Sequence, residues 1–286
     1  MGTTKYWTGA TSGVLSAGGN WSPSGAPVAT DTLIFATATG TDIVGGNLLS
    51  LGALSEIRIT RAFTDSFGSA AALVKIECAT ITLDSGGSVY LDAETSTRVA
   101  VLGSGVSHMM TLAGDVVELR VAGGSGAITI ASATGNTTAS GYSEVTTLSM
   151  LGGATATIGI EANVNDLTTL TMDGGTVDMS CNCATVRVYG GVLNVKAAAT
   201  ITQAEVFGNG NINDTGTGTI TALTLYGGSV GFSNNASDGV TVTNCTVNNG
   251  TLDLSTSLQN ITFTNAITVN GGAVLPPLGS SLGITY

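Results

Sequence analysis

The sequence predicts an all-β chain, a single-stranded parallel β-helix (β-solenoid) with coils of about 16–22 residues and an irregular N-terminal cap. Three observations predict it. A phrase of alternating apolar residues, a Gly-Gly pair and a second alternating run recurs along the chain. The phrase returns at a nearly constant interval. No stretch keeps a 3.6-residue apolar period, and the helix formers Lys, Glu, Arg and Gln are scarce.

The phrase is clearest at Thr224-Leu225-Tyr226-Gly227-Gly228-Ser229-Val230. It recurs around Gly174-Gly175, Gly190-Gly191 and Gly271-Gly272, and in degraded form at Gly208-Asn209-Gly210 and Asn248-Asn249-Gly250. Earlier pairs at Gly86-Gly87, Gly123-Gly124 and Gly152-Gly153 extend the pattern. From Gly152 the phrase steps to Gly174, Gly190, Gly208, Gly227, Asn249 and Gly271, at numbering intervals of 22, 16, 18, 19, 22 and 22. A period near 20 with alternation beside each corner marks a solenoid, because one coil cannot bury its inward side chains without a neighbour. Glycine and asparagine suit the corners, where positive φ strains other residues.

Taken in order, residues 1–40 form an N-terminal cap or attachment segment, 41–274 a β-solenoid shaft and 275–286 an extended C-terminal tail. The first segment holds both tryptophans, Trp7 and Trp21, two prolines and the apolar run Leu33-Ile34-Phe35. An open solenoid end exposes unpaired strand edges and apolar core, so Trp7, Trp21 and Phe35 read as cap or attachment residues rather than as a sugar platform. Strands are expected at Ile57–Ile59, Leu73–Ile76, Ile81–Leu83 and Val89–Leu91, with Leu102–Gly105 continuing the pattern. The polar stretch 132–143 reads as a loop, and His108 receives no role. Pro276 and Pro277 remove backbone donors, so the tail is expected to leave the ladder and either cap the last coil or dock on another chain.

The opening Trp7-Thr8-Gly9, Asn20-Trp21-Ser22 and Asp31-Thr32-Leu33-Ile34-Phe35 resembles the start of Gly/Thr-rich bacterial and phage β-solenoid proteins. The continuation Leu51–Ile59, then Phe63–Gly68, the Gly-Gly coils and Gly250-Thr251-Leu252-Asp253-Leu254 is similar to an uncharacterised subset encoded among phage structural genes. The resemblance spans nearly the whole chain and implies a virion structural protein. It brings no catalytic residues.

Composition bounds the rest. Eight Lys and Arg against nineteen Asp and Glu give a net charge of −11, which disfavours nucleic acid as a partner and favours a basic surface. No apolar run reaches membrane-spanning length, and no secretory signal precedes Trp7, so synthesis in a host cytoplasm and residence in a virion are expected. Cys78, Cys181, Cys183 and Cys245 read as buried free thiols, since zinc ligation would need closer spacing and more than one histidine. Asp173, Asp178 and Asp253 lie beside corners, but their coils are not adjacent, so local turn hydrogen bonding is the expected role. No catalytic, metal or cofactor site is predicted.

The functional expectation is a non-enzymatic capsid decoration (cement) protein. Its expected partners are the major capsid protein or another virion protein and further copies of itself, a trimer for instance. A glycan-binding phage fibre or bacterial adhesin is the first alternative, and a polysaccharide-degrading tailspike the second. Attachment is expected at a terminal region, because the shaft offers no cluster of Trp, Tyr and Arg.

Overall fold

A computed structural model describes residues 2–44, 46, 48, 52–101, 109–123, 127–130, 144–152, 157–160, 167–196, 198–232, 239–255, 261–276 and 284–285. Within these, only the backbone is described for 94–98, 100–101, 109–115, 144 and 284–285. The chain is a β-solenoid built on a large parallel sheet, and the one helical turn among the described residues is a 3-10 turn at Gly18–Asn20. Its residues group into two compact units, Met1–Val145 and Thr157–Tyr286, with Thr146–Gly153 belonging to the second.

In the first unit, β1 (Thr4–Trp7) pairs with the antiparallel β2 (Trp21–Ser22) and in parallel with β3 (Thr32–Phe35). The ladder continues through β4 (Leu54–Ile59) and β6 (Cys78–Leu83), with β5 (Val74–Ile76) between them in sequence. It then runs through β7 (Val89–Val101), β8 (Met109–Val121) and β9 (Ala127–Ile130). Alternation dictates what faces in: Leu33, Ile57, Ile81, Val99 and Leu119 stack as register partners, all buried. Strands of segment 1–40 therefore belong to the same ladder as β4 and β6. The first coils are wider than the glycine intervals predict: Lys5 pairs with Leu33, a step of 28, and Leu33 with Ile57, a step of 24, before the steps narrow to 18 at Ile81 and Val99. The additional length carries loop rings inward. Phe35 meets Trp7, Trp21, Phe63 and Phe67 at centroid distances of 5.2–5.8 Å.

The second unit is regular. It comprises β10 (Glu144–Met150), β11 (Thr157–Ile160), β12 (Leu167–Met179), β13 (Cys183–Val195), β14 (Ile201–Asp214), β15 (Thr219–Phe232) and β16 (Thr241–Asp253). The short strands β17 (Thr262–Phe263), β18 (Ile267–Val269), β19 (Ala273–Leu275) and β20 (Ile284–Thr285) follow. Thr147 pairs with Thr169, Thr169 with Thr185, Thr185 with Gln203, Gln203 with Ala222, Ala222 with Asn244 and Thr246 with Thr268. Those steps are 22, 16, 18, 19, 22 and 22, the same as the glycine intervals.

Inward residues form files along the coil axis. Met172, Val188, Val206, Leu225 and Val247 make one, and Val177, Leu193, Ile212, Val230 and Leu252 another. Burying each such side chain is worth about 1.5–3 kcal/mol against leaving it exposed. Between Met172 and Val177 the inward spacing is odd, which strict alternation forbids, so the chain must shift phase at Gly174-Gly175. The phase shift occurs inside a continuous strand, with register irregularities on either side, rather than as two short strands joined by a free turn.

Positive φ falls on the second glycine of each regular pair, Gly175, Gly191, Gly228 and Gly272, not on the first. The first is constrained differently. A Cβ on Gly190 would lie 2.7 Å from the Asp173 carbonyl oxygen, and one on Gly227 would lie 2.7 Å from the Gly208 nitrogen. One glycine supplies the left-handed turn and the other lets adjacent coils approach.

The tail rejoins the ladder. Pro276 is exposed just after β19, yet Ile284 and Thr285 pair in parallel with Ile267 and Thr268. A missing N–H interrupts pairing locally and does not stop its resumption.

Candidate functional site

Coil stacking sets the surface chemistry of the second unit, because outward residues at equivalent positions lie about 4.8 Å apart along the axis. Residues immediately before the corners are Asp173, Tyr189, Phe207, Tyr226, Asn248 and Asn270. Three of them form an aromatic stack. Tyr189 and Phe207 have centroids 4.6 Å apart at 13°, and Phe207 and Tyr226 are 4.9 Å apart at 11°. The separations match the coil rise, so the backbone places the rings in face contact. Tyr189 is 43% exposed and Tyr226 47%.

Amides continue the file at one end, where Asn270 Nδ2 donates to Asn248 Oδ1 at 2.8 Å. Asp173 lies at the other end, exposed, with no side-chain hydrogen bond or ion pair among the described residues. Beside the stack, Arg187 Nε donates to Glu205 Oε2 at 2.9 Å, joining coils β13 and β14.

A second outward file is bonded internally. Asp178 accepts from Lys196 Nζ at 2.6 Å and from Asn194 Nδ2 at 2.7 Å, and Asn194 Oδ1 accepts from Asn213 Nδ2 at 3.4 Å. Partial burial pulls the Asp178 carboxyl upward, but the Lys196 and Asn194 contacts outweigh it and hold it below the ordinary aspartate value. Asp253 lies on β16, four coils from β12 and on the order of 19 Å along the axis, beyond the separation of paired catalytic carboxylates.

Asp214 departs from this order. It occupies an inward position between Val195 and Phe232, 3% exposed. Its one hydrogen bond among the described residues comes from the Gly216 N–H at 2.8 Å. Burial pushes its carboxyl up to about 6, only partly offset by that N–H. All four cysteines are free and buried, and desolvation pushes the Cys78 thiol to about 11 and the Cys245 thiol to about 12. Such thiols are poor nucleophiles. A shallow, open depression of about 270 Å³ lies among Thr168, Asn182, Ala184 and Thr200, lined by neutral side chains. Among the described residues, no group of three or more His, Cys, Asp and Glu could hold a metal ion.

The residues singled out in the sequence distribute as follows. Trp7, Trp21 and Phe35 are buried together, Trp21 Nε1 donating to the Leu15 carbonyl at 2.7 Å, so neither indole offers an open face. The Gly86 and Gly87 pair lies against the preceding coil, where a Cβ on Gly86 would come within 2.6 Å of the Arg61 carbonyl oxygen. Gly123, Gly152 and Gly271 are described, and nothing lies within 4 Å of a Cβ built on Gly152. Gly124, Gly153, Pro277, His108, the 132–143 stretch and the Leu102–Gly105 continuation fall outside the described residues.

Sequence reasoning expected no cluster of Trp, Tyr and Arg together on the shaft and did not foresee the stacking of these rings. Tyr189, Phe207 and Tyr226 meet there, with Arg187 on the adjacent outward row. The signal was present, since each ring directly precedes a corner glycine and aligning the phrases puts all three in one column. Comparison with protein-family models, curated proteins and solved structures found no match.

Proposed function

We propose that this chain is a non-enzymatic structural protein of a phage-like virion, decorating the capsid as a cement component held on the major capsid protein. The observation that carries the reading is the way outward polar groups are used. Asp178, Asn194 and Asn213, Arg187 and Glu205, Asn244 and Asn265, and Asn248 and Asn270 bond to one another across coils rather than converging on a cleft. Such side-chain files tie each coil to the next and suit a part that bears load without changing shape. The likeness of the Trp7–Phe35 opening and the Gly-Gly coils to phage-encoded solenoids supports the virion setting. Self-association around a local symmetry axis, as a trimer, belongs to the same proposal.

The test is quantitative mass spectrometry of purified particles, followed by heat challenge of particles made without this protein. Decoration requires copy numbers in the hundreds and earlier genome release on heating. A handful of copies at the tail would move the assignment to a fibre, and loss of host polysaccharide chain length on incubation would move it to a tailspike.

A further inference from the structure

We propose that the end of the aromatic stack formed by Asp173 and Tyr189 is a docking site for an arginine side chain of a protein partner. The inference goes beyond the virion assignment and stands without it. In a stack of three rings the central Phe207 has both faces covered, so each terminal ring has one face outside the stack. The free face of Tyr189 looks along the axis toward coil β12, where Asp173 is the register partner of Gly190, the residue next to Tyr189. Aspartate is much shorter than tyrosine, so it leaves the outer part of the ring open to solvent, in keeping with the 43% exposure.

The chemistry selects a planar cation. A ring face is negative at its centre and attracts guanidinium or ammonium, and a carboxylate on the adjacent coil can add a charge-assisted hydrogen bond to the same cation. Guanidinium also stacks flat on the ring as a further layer, which a compact, strongly hydrated ammonium does not. Charge balance points the same way. The described cations of this unit, Arg187 and Lys196, are engaged by Glu205 and Asp178, whereas Asp173 has no ion-pair partner among the described residues. The net charge of −11 steers a basic surface toward the site. Arg187 is the nearest positive neighbour by sequence, and its ion pair reaches toward coil β14, away from Asp173.

The test uses the full chain and fluorescence anisotropy with dye-labelled, amidated Arg-Gly-Arg-Gly-Arg peptide. Its lysine and citrulline counterparts and labelled maltohexaose serve as comparisons. The arginine peptide is expected to bind several-fold more tightly than the lysine peptide, with no binding by citrulline peptide or maltohexaose. Tyr189→Ala should weaken arginine-peptide binding about 3- to 30-fold. Asp173→Asn should weaken it by about 3-fold or more, and Asp253→Asn should leave it unchanged. If Tyr189→Ala does not fold, Asp173→Asn at its exposed position carries the test alone. Equal binding of arginine and lysine peptides overturns the proposal. So does parent-like affinity in folded Tyr189→Ala or in Asp173→Asn, Tyr189-dependent maltohexaose binding, or Tyr189-dependent self-association of the chain. None of these readouts involves particles, so the outcome is independent of copy number on a virion.

Discussion

The two units place most of their described aromatic residues on opposite sides of the wall, with Tyr6 and Phe232 among the exceptions. In the N-terminal unit Trp7, Trp21, Phe35, Phe63 and Phe67 fill the interior of long coils, such as the one from Lys5 to its register partner Leu33. In the second unit the coils are shorter, as from Thr169 to Thr185. Their interior is filled mainly by Val, Leu, Ile and Met, with Phe232 its one described buried ring. Tyr189, Phe207 and Tyr226 stand outside. Coil circumference sets the difference, because a longer loop can carry a ring inward and a short coil cannot enclose several without overpacking. Rings excluded from a narrow coil are then stacked by the ladder, with no further loss of backbone entropy. Irregularity builds a core in one unit, and regularity builds a surface in the other.

Buried acids differ in the same way. Asp31 accepts from the Thr3 and Val28 N–H groups, and Asp65 accepts from Thr39 N, Thr39 Oγ1 and Gly40 N. These carboxylates tie loops of the N-terminal unit together. Asp214 sits in a file of apolar side chains with a single N–H for company.

The comparison breaks most sharply at Phe35. Phe35→Ala should destabilise the N-terminal unit by about 3–5 kcal/mol, whereas Phe207→Ala should cost the second unit less than about 1.5 kcal/mol. Hydrogen exchange read separately over the two units checks this. Equal losses would show that ring placement does not distinguish them. A corner test ranks next. Gly228→Val places a β-branched residue at φ 65° with its Cβ against the Gly210 carbonyl oxygen, for an expected loss of about 2–4 kcal/mol around β14 and β15.

Asp214 predicts a pH effect of about 3 kcal/mol, because its carboxyl rises from 3.8 to about 6 on folding. Between those values the unfolded chain ionises while the folded one stays protonated, so unfolding releases a proton. Stability of the second unit therefore falls as pH rises from about 4 to about 6 and stays lower above that. Asp214→Asn should abolish the slope and raise stability at pH 7, as chemical denaturation across this range would record. The smallest effect has the opposite sign to most substitutions. Gly231→Ala meets nothing within 4 Å and lies in a strand without positive φ, so it should stabilise by about 0.5–1 kcal/mol in the same assay.

The sequence by itself determined the all-β solenoid and the coil lengths of the second unit. Those lengths are written in glycine positions because a corner is a local demand on the backbone, met by few residues wherever it occurs. The inward files followed from alternation, as at Leu170 and Met172 or Val186 and Val188. Only the tertiary structure decided which glycine of a pair turns left-handed, since that depends on the carbonyl of the preceding coil. It decided that Asp214 faces in, because a one-residue phase shift at the corner reverses every side chain after it. It also brought Ile284 back to the ladder and put Tyr189, Phe207 and Tyr226 in face contact. Contacts between residues a whole coil apart exist only once the coils stack, and no local preference of the chain carries them.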